Sequence, residues 1–522
     1  VIYRGENMSI EIIKDIIKVE EIIGTQDIQP LVETQVYLNT NKQEIESILW
    51  VEGRVEISNT KPLKDRLLVN GKVKFNIVYK SMDEEENINT LDTVKEFKEE
   101  VDFEGIGENM ETIVKSNIDY IEYELDDNSI DLRAVVNLSI TIAENREIEV
   151  IQEIEGNNDL QFLEETIRYK EIYGQETSYA NVKDTIVVGE NKAAIDKVIR
   201  FNVTSNELQT LVTDDRLVVS AEAKISMIYL GNNEINYLNE SLPFNHFIEI
   251  PGIEKSSLGE VKLEVIEGIY EILEDEAGEL RLIDLEITIL VNGKVYDYRV
   301  RPLVVDVYST KEILNFEKEE IKLLENVESL SHEEELNVDI AIDAAEILDI
   351  KEDYNILDKR ILEEGIVIEG LLTVDLFYIE RSTGQIRNFK DHFQHKANVY
   401  YEGSFDGEAL YVDTKLGDIT YDINQEMLSI DNMIRYDINL NKEKTINGIK
   451  IIEETGQLID LNNRSSITIY IVQKGDILWD IAKRYNSTIE DILSSNNLES
   501  SYEINVGDKI IIEKNIDDDL SF

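Results

Sequence analysis

A strand of alternating residues ending in tyrosine recurs three times in this chain, and that recurrence limits the folds open to it. The runs are GKVKFNIVYK (Gly71 to Lys80), AEAKISMIYL (Ala221 to Leu230) and GLLTVDLFYI (Gly370 to Ile379). Their tyrosines, Tyr79, Tyr229 and Tyr378, stand 150 and 149 residues apart. Upstream, Asp65-Arg66-Leu67-Leu68-Val69 matches Asp215-Arg216-Leu217-Val218-Val219 at the same offset, and the third copy has Glu364-Gly365-Ile366-Val367-Ile368 there. Downstream, each copy has a strand and turn (VDFEGI, IEIPGI, NVYYEG) followed by paired alternating runs. Self-similarity at a fixed period signals repeated structural units, and this period is too long for a solenoid rung. Three tandem domains are expected.

Each copy is dominated by period-2 patterning. Val73, Phe75, Ile77 and Tyr79 face one way, and Lys72, Lys74 and Asn76 the other. Short β-branched and aromatic runs, broken by Asn-Gly, Asp-Asp-Asn and Gly-Asn-Asn, predict antiparallel sandwich or barrel-like repeats in a mainly β chain. Boundaries are expected as follows: an N-terminal lead-in helix or strand at 1–26, repeats at 27–150 and 160–308, and an acidic connector with the third repeat at 311–455. A polar linker at 456–466, a small domain at 467–514 and a tail at 515–522 complete the chain. Gly156-Asn157-Asn158-Asp159 reads as a hinge, and the acidic run from Lys311 to Leu336 as a helical connector or the third repeat's lead-in.

Charge narrows the function. Lys and Arg number 51 against 109 Asp and Glu, a formal net charge of −58 over 522 residues. Such a field repels nucleic acid and anionic lipid and fits a basic protein partner, though a highly charged surface also serves solubility alone. With no cysteine, disulfides, thiolate metal sites and thiol nucleophiles are excluded. The start shows no secretory leader, and no run approaches the roughly 20 apolar residues of a membrane helix; direct membrane insertion is not expected. No phosphate loop, nucleophile elbow, H-E-x-x-H or dinucleotide fingerprint is present, so no enzyme and no cofactor is expected. His392 and His395 form an H-x-x-H pair, but on a strand that spacing places them on opposite faces, and His395 repeats the position of His246. No metal site is expected. Asp127-Asn128 and Asp275 to Gly278 read as hairpin turns rather than calcium loops. Trp50 is expected to pack within its own repeat.

The residues from Ile467 to Lys514 follow a different pattern. A β-rich run meets a Gly475-Asp476 turn, then a helix with Leu478, Ile481, Ala482 and Tyr485 at helical spacing. Ser487 or Thr488 caps a second helix carrying Ile489, Ile492 and Leu493. An Asn496-Asn497 turn, Gly507-Asp508 and the strand Lys509 to Ile512 close a β-α-α-β unit. The segments VQKGDILWDIAKRY, NNL and INVGDKIII resemble the LysM family in order and spacing. That resemblance implies a ligand groove between the loop after the first strand and the loop after the second helix, formed by Lys474, Gly475, Asp476, Ile477, Asn496, Asn497 and Leu498. The family usually has threonine or serine after Gly-Asp. Ile477 removes that hydroxyl, which weakens a sugar site and adds apolar surface suited to protein. Trp479 has two readings: it covers the edge of a small core, or it anchors an interface.

Three acidic tandem domains followed by LysM resemble a clostridial sporulation family. The resemblance implies a spore-coat morphogenetic adaptor in the mother-cell cytoplasm at the forespore outer surface. It implies partners in stage IV sporulation protein A, an ATPase scaffold, and in other coat proteins. A peptidoglycan or N-acetyl-glycan-binding wall protein is the alternative.

Overall fold

The computed structural model describes residues 2–3, 11–37, 45–82, 88–126, 129–155, 159–232, 234–362, 365–402, 408–460, 465–499 and 504–514. Asp127-Asn128, the hinge residues Gly156 to Asn158, part of the linker (461–464) and the tail (515–522) lie outside the described residues.

The chain is mainly β, three antiparallel repeats and then a β-α-α-β domain. The first repeat holds β1 (Ile2–Tyr3), β2 (Glu11–Ile28), β3 (Leu31–Tyr37), β4 (Ile45–Leu63), β5 (Arg66–Ser81), β6 (Ile88–Asp102), β7 (Glu111–Asp126) and β8 (Ser129–Glu155). The second holds β9 (Leu160–Val187), β10 (Lys197–Thr213), β11 (Arg216–Gly231), β12 (Glu234–Glu249), β13 (Leu258–Glu274) and β14 (Leu280–Ser309). The third holds β15 (Glu312–Ala341), β16 (Ala344–Leu362), β17 (Gly365–Glu380), β18 (Ile386–Tyr400), β19 (Glu408–Leu416), β20 (Thr420–Asn424) and β21 (Met427–Leu458). The C-terminal unit is β22 (Ile467–Ile471), α1 (Leu478–Arg484), α2 (Ile489–Asn496) and β23 (Lys509–Glu513).

Within each repeat a three-stranded sheet (β4-β5-β6, β10-β11-β12 or β16-β17-β18) packs on a sheet of longer strands. The alternation read from the sequence supplies that core. In repeat 1, Leu67, Val69, Val73, Phe75 and Ile77 of β5 meet Ile130, Leu132, Ala134, Val136, Leu138 and Ile140 of β8. The anchor tyrosines belong to the folded interior: Tyr229 is fully buried, and Tyr378 packs on the third core. Asp65 and Asp215 turn their hairpins at φ 57° and 60°. Their carboxylates accept from the backbone N–H of Gly105 (3.1 Å) and Gly252 (2.7 Å), glycines that also hold positive φ.

The long strands run beyond their own repeats. Three antiparallel ribbons, β2–β8, β9–β14 and β15–β21, meet through bridges at Val19–Glu171 and Tyr169–Glu325. Ile17, Val19, Ile148, Val150, Ile167, Tyr169, Leu303, Ile321, Leu323 and Ile446 fill the space between them. The ribbons therefore form one stalk with a shared apolar interior.

Two expectations change here. Residues 11–26, expected to be a separate lead-in, are part of β2, which pairs with β8 as the first strand of repeat 1. Of the two readings of the acidic run from Lys311 to Leu336, the helical connector fails; from Glu312 the run opens repeat 3 as strand β15, paired along its length with β21. Its apolar residues alternate (Ile321, Leu323, then Leu336, Val338, Ile340) and point inward, while charged neighbours face water.

A second shared core lies between the three smaller sheets. Val78, Ile228 and Phe377 occupy equivalent repeat positions, as do Leu49, Ile199 and Leu348, and with Trp50 they pack in one cluster, all of them buried but Leu49, which is partly so. Trp50 thus packs across repeats as well as beside Val78 of its own, edge-on to Phe377 with ring centroids 5.0 Å apart. Convergence of equivalent residues on one cluster gives the repeats an approximate threefold arrangement. Charge pins its phase. Arg200 of repeat 2 donates to Glu52 of repeat 1 (2.7 and 3.0 Å) and to Asp349 of repeat 3 (2.6 Å), and Lys351 also engages Glu52. Burial alone raises the Glu52 pKa, but Arg200 and Lys351 outweigh it and hold the group far below the usual carboxylate range.

Candidate functional site

The C-terminal domain is small, so each of its turns is tied by specific groups. β22 and β23 pair antiparallel from Ile467–Glu513 to Ile471–Lys509. Both Gly-Asp turns have one design. Gly475 and Gly507 take φ 93° and 96°, and the aspartate that follows accepts from the backbone N–H three residues earlier: Gln473 to Asp476, 2.8 Å, and Asn505 to Asp508, 2.7 Å. The turns are joined by backbone bonds from Val472 N–H to Asp508 and from Gly507 N–H to Val472. Thr488 caps α2, its hydroxyl accepting from Asp491 N–H at 3.0 Å, and Asn497 ends it at φ 53°.

The expected groove residues divide by what they are free to do. Lys474, Gly475 and Asn497 are exposed. Asp476 accepts from Tyr470 Oη at 2.6 Å as well as from Gln473, and both bonds lower its pKa, the tyrosine most. Ile477 is 51% exposed and stands at the N-cap of α1 with extended backbone and no side-chain cap bond. Asn496 is engaged internally: its amide donates to Ile492 and Ile511 carbonyls and accepts from Ile511 N–H, each at 2.7 Å. Leu498 is half-buried against the domain core. The turn after β22 therefore presents an apolar tip, and the asparagine of the facing loop has its hydrogen bonds filled.

Trp479 lies elsewhere. It is 6% exposed, and its ring meets Tyr308 of β14 edge-on, centroids 5.0 Å apart. Its Nε1 donates to Asp306 at 2.8 Å, and Lys483 Nζ reaches both oxygens of the same carboxylate at 2.6 and 2.7 Å. Tyr308 Oη donates to the Ser487 carbonyl at 2.8 Å. Burial works against the Asp306 charge, but Lys483, Trp479 and nearby Lys318 outweigh it and lower its pKa. Trp479 is thus buried, closing the edge of the LysM core against repeat 2 of its own chain rather than standing partly exposed as an anchor. Asp306 and Tyr308 were not singled out from sequence. The signal available was that repeat 2 ends VVDVYS where repeat 1 has VIQEIE.

The histidines have neighbours of an ordinary kind. His392 bonds the Thr373 hydroxyl, while His395, on the other face, approaches Tyr354 and Tyr436. Among the described residues no group of three metal-ligating side chains occurs. No described helix is long and apolar enough to cross a membrane. Asp275 is a turn residue, accepting from Ala277 and Glu279 N–H.

The repeat period, the three small sheets and the Gly-Asp turns agree with comparison to known families. The "SipL, SPOCS domain" family matches residues 44–126, 194–273 and 343–424, once per repeat, and the LysM domain family matches 470–513. The chain carries three SipL SPOCS domains and a C-terminal LysM domain. No curated protein and no solved structure matches it. SPOCS and LysM are non-catalytic domain families, and the SPOCS domains fit a sporulation-associated protein. Each SPOCS match begins near the first strand of a small sheet and ends before the long strand β8, β14 or β21 completes the fold, so most of the stalk lies outside the matched segments.

Proposed function

We propose that this chain is a non-catalytic spore-coat morphogenetic adaptor of the mother-cell cytoplasm, working at the forespore outer surface. Its LysM domain docks on the stage IV sporulation ATPase scaffold, stage IV sporulation protein A, and its SPOCS repeats tether other coat proteins. The observation that carries this reading is the exposed Ile477 at the first groove turn, together with an Asn496 whose hydrogen bonds are already filled. LysM is a glycan-binding module, and sugar sites depend on free, well-placed polar groups; this groove offers an apolar contact instead. Lys474, Gly475, Asp476, Ile477, Asn497 and Leu498 are proposed to meet the partner. Asn496 and Trp479 position that surface, the first by fixing α2 to β23 and the second by holding the domain on repeat 2. The acidic surface, a net −58 over the chain, favours encounter with basic partners.

The test is co-sedimentation of the full chain with polymerised stage IV sporulation protein A and, separately, with purified peptidoglycan. Binding to the polymer that falls about tenfold in Ile477→Asp, the loss of roughly one hot-spot contact, is expected. Sedimentation with peptidoglycan and not with the polymer would overturn the adaptor reading.

A further inference from the structure

The two-stranded sheet of the LysM domain has one face on its own core and one face open. Tyr470, Ile510 and Ile512 turn inward onto that core. On the other face stand Ile467, Ile469 and Ile471 of β22, 59%, 62% and 51% exposed, and Ile511 of β23, 36% exposed. A face of this kind is an exception in so charged a chain. Among the described strands of more than two residues, β22 alone contains no charged side chain. The other sheet edges carry the charges that keep exposed strands from associating; this one is unguarded.

The pattern on the open face is symmetric about its centre. The register sets Ile469 beside Ile511, with Ile467 beside Glu513 at one end and Ile471 beside Lys509 at the other. A half-turn about the line through Ile469 and Ile511 exchanges the two ends. Laid on a copy turned that way, the face puts Ile469 on Ile469 and Ile511 on Ile511. Each Ile467 then lies over an Ile471, and each Lys509 over a Glu513. Both charged residues are exposed, and neither makes an ion pair in its own chain among the described residues. An apolar centre with a polar rim is the anatomy of a protein interface, and a surface that matches itself under a half-turn is what a twofold contact requires.

We infer that this face binds the same face of a second copy of the chain, the two sheets packed about 10 Å apart around a twofold axis at Ile469 and Ile511. Charge favours this contact over others between copies. Residues 466–514 hold five basic and eight acidic residues, so only −3 of the net −58 lies in this domain. Helix α1 packs on the inner side of the sheet and carries the clasp to repeat 2, which puts the acidic repeats on the side away from the second copy. The contact is small beside the roughly 1,200–2,000 Å² of a standard interface, so the pairing is weak in dilute solution. Copies held side by side on one surface meet at effective concentrations of about a millimolar, where a weak contact suffices. The inference does not depend on what occupies the groove.

Sedimentation velocity of the full chain over a concentration series reads the association. A monomer–dimer equilibrium is expected. Ile469→Lys, at an exposed position and so without a change in thermal unfolding, should weaken it about tenfold or more, because the residue meets itself at the axis. Lys509→Glu should weaken it about fivefold, the scale of two exposed ion pairs lost. Lys509→Glu combined with Glu513→Lys should restore it, since the axis sets those two positions against each other. The inference is overturned if the chain stays monomeric at a few hundred micromolar, if dimers form but ignore Ile469→Lys, or if the double reversal fails to restore them. Two other occupants of the face would also overturn it. Dimers that appear only after removal of residues 515–522 give the face to the chain's own tail. Loss of co-sedimentation with polymerised stage IV sporulation protein A in Ile469→Lys, with no dimer at any concentration, gives it to that scaffold.

Discussion

A carboxylate that receives an indole N–H and an ammonium together has no neutral equivalent, because an amide of the same shape offers one acceptor and sets its NH₂ against the other donor. Asp306 is such a group, with Trp479 and Lys483 on it. Asp306→Asn is expected to weaken LysM docking by roughly 1–3 kcal/mol, seen as faster amide exchange across α1 while the repeats keep their protection. The pH dependence follows from the lowered pKa of Asp306. A depressed carboxylate contributes stability fully above its unfolded value, about 3.9, and loses it as pH falls through the native value. Docking should thus hold through neutral pH and weaken only in acid; weakening on the alkaline side below pH 8 would contradict the assignment. Ile477 makes the opposite kind of case. Its backbone already has N-cap geometry, φ −113° and ψ 153°, but no side-chain bond caps α1. Ile477→Thr should stabilise the domain by about 0.5–2 kcal/mol while lowering affinity for the protein partner. A thermal scan and the co-sedimentation assay read the two effects separately.

Strands were legible where their alternation was clean and illegible where charge obscured it. β5, β11 and β17 place apolar residues on one side at every second position, and the sequence alone defines them. β15 has the same period, but its long acidic stretch mimics a solvated helix, and the deciding fact is β21, a partner 86 to 146 residues away in sequence. The lead-in posed the same problem, since β2 acquires its identity from β8. Likewise the turns of the LysM unit could be read directly from Gly-Asp, while the dock of Trp479 could not, because Asp306 and Tyr308 lie in another domain. Arg200, too, is a lone basic residue in sequence and becomes the junction of three repeats only when β4, β10 and β16 are assembled. Removing it leaves Asp349 without its arginine and Glu52 with Lys351 alone, both half-buried, so Arg200→Met should cost roughly 3–5 kcal/mol in chemical denaturation. Neutralising the whole group, with Glu52→Gln, Arg200→Met and Asp349→Asn together, should recover much of that loss; no recovery would mean that the arginine acts through packing on Phe377 instead, whose ring lies 4.8 Å away.

For the molecule as a whole, the shared interiors matter more than the repeat count. Three apolar clusters take residues from all three repeats, so no SPOCS repeat keeps its full core alone. Calorimetry on the full chain should show the three repeats melting in one transition, and a chain ending at residue 310 should aggregate, since it exposes Ile17, Val19, Ile167 and Tyr169. Separate transitions for three independent repeats would disprove the common interior. The LysM mounting has a mechanical consequence. Covalently the domain follows repeat 3, through residues 459–466, but it is clasped to repeat 2 by Asp306 and Tyr308. Load entering through LysM thus reaches the second repeat before it reaches the peptide connection. The clasp can yield first, at the cost of hydrogen bonds and one ring contact, so the protein would give under sudden strain and recover without any covalent bond being broken.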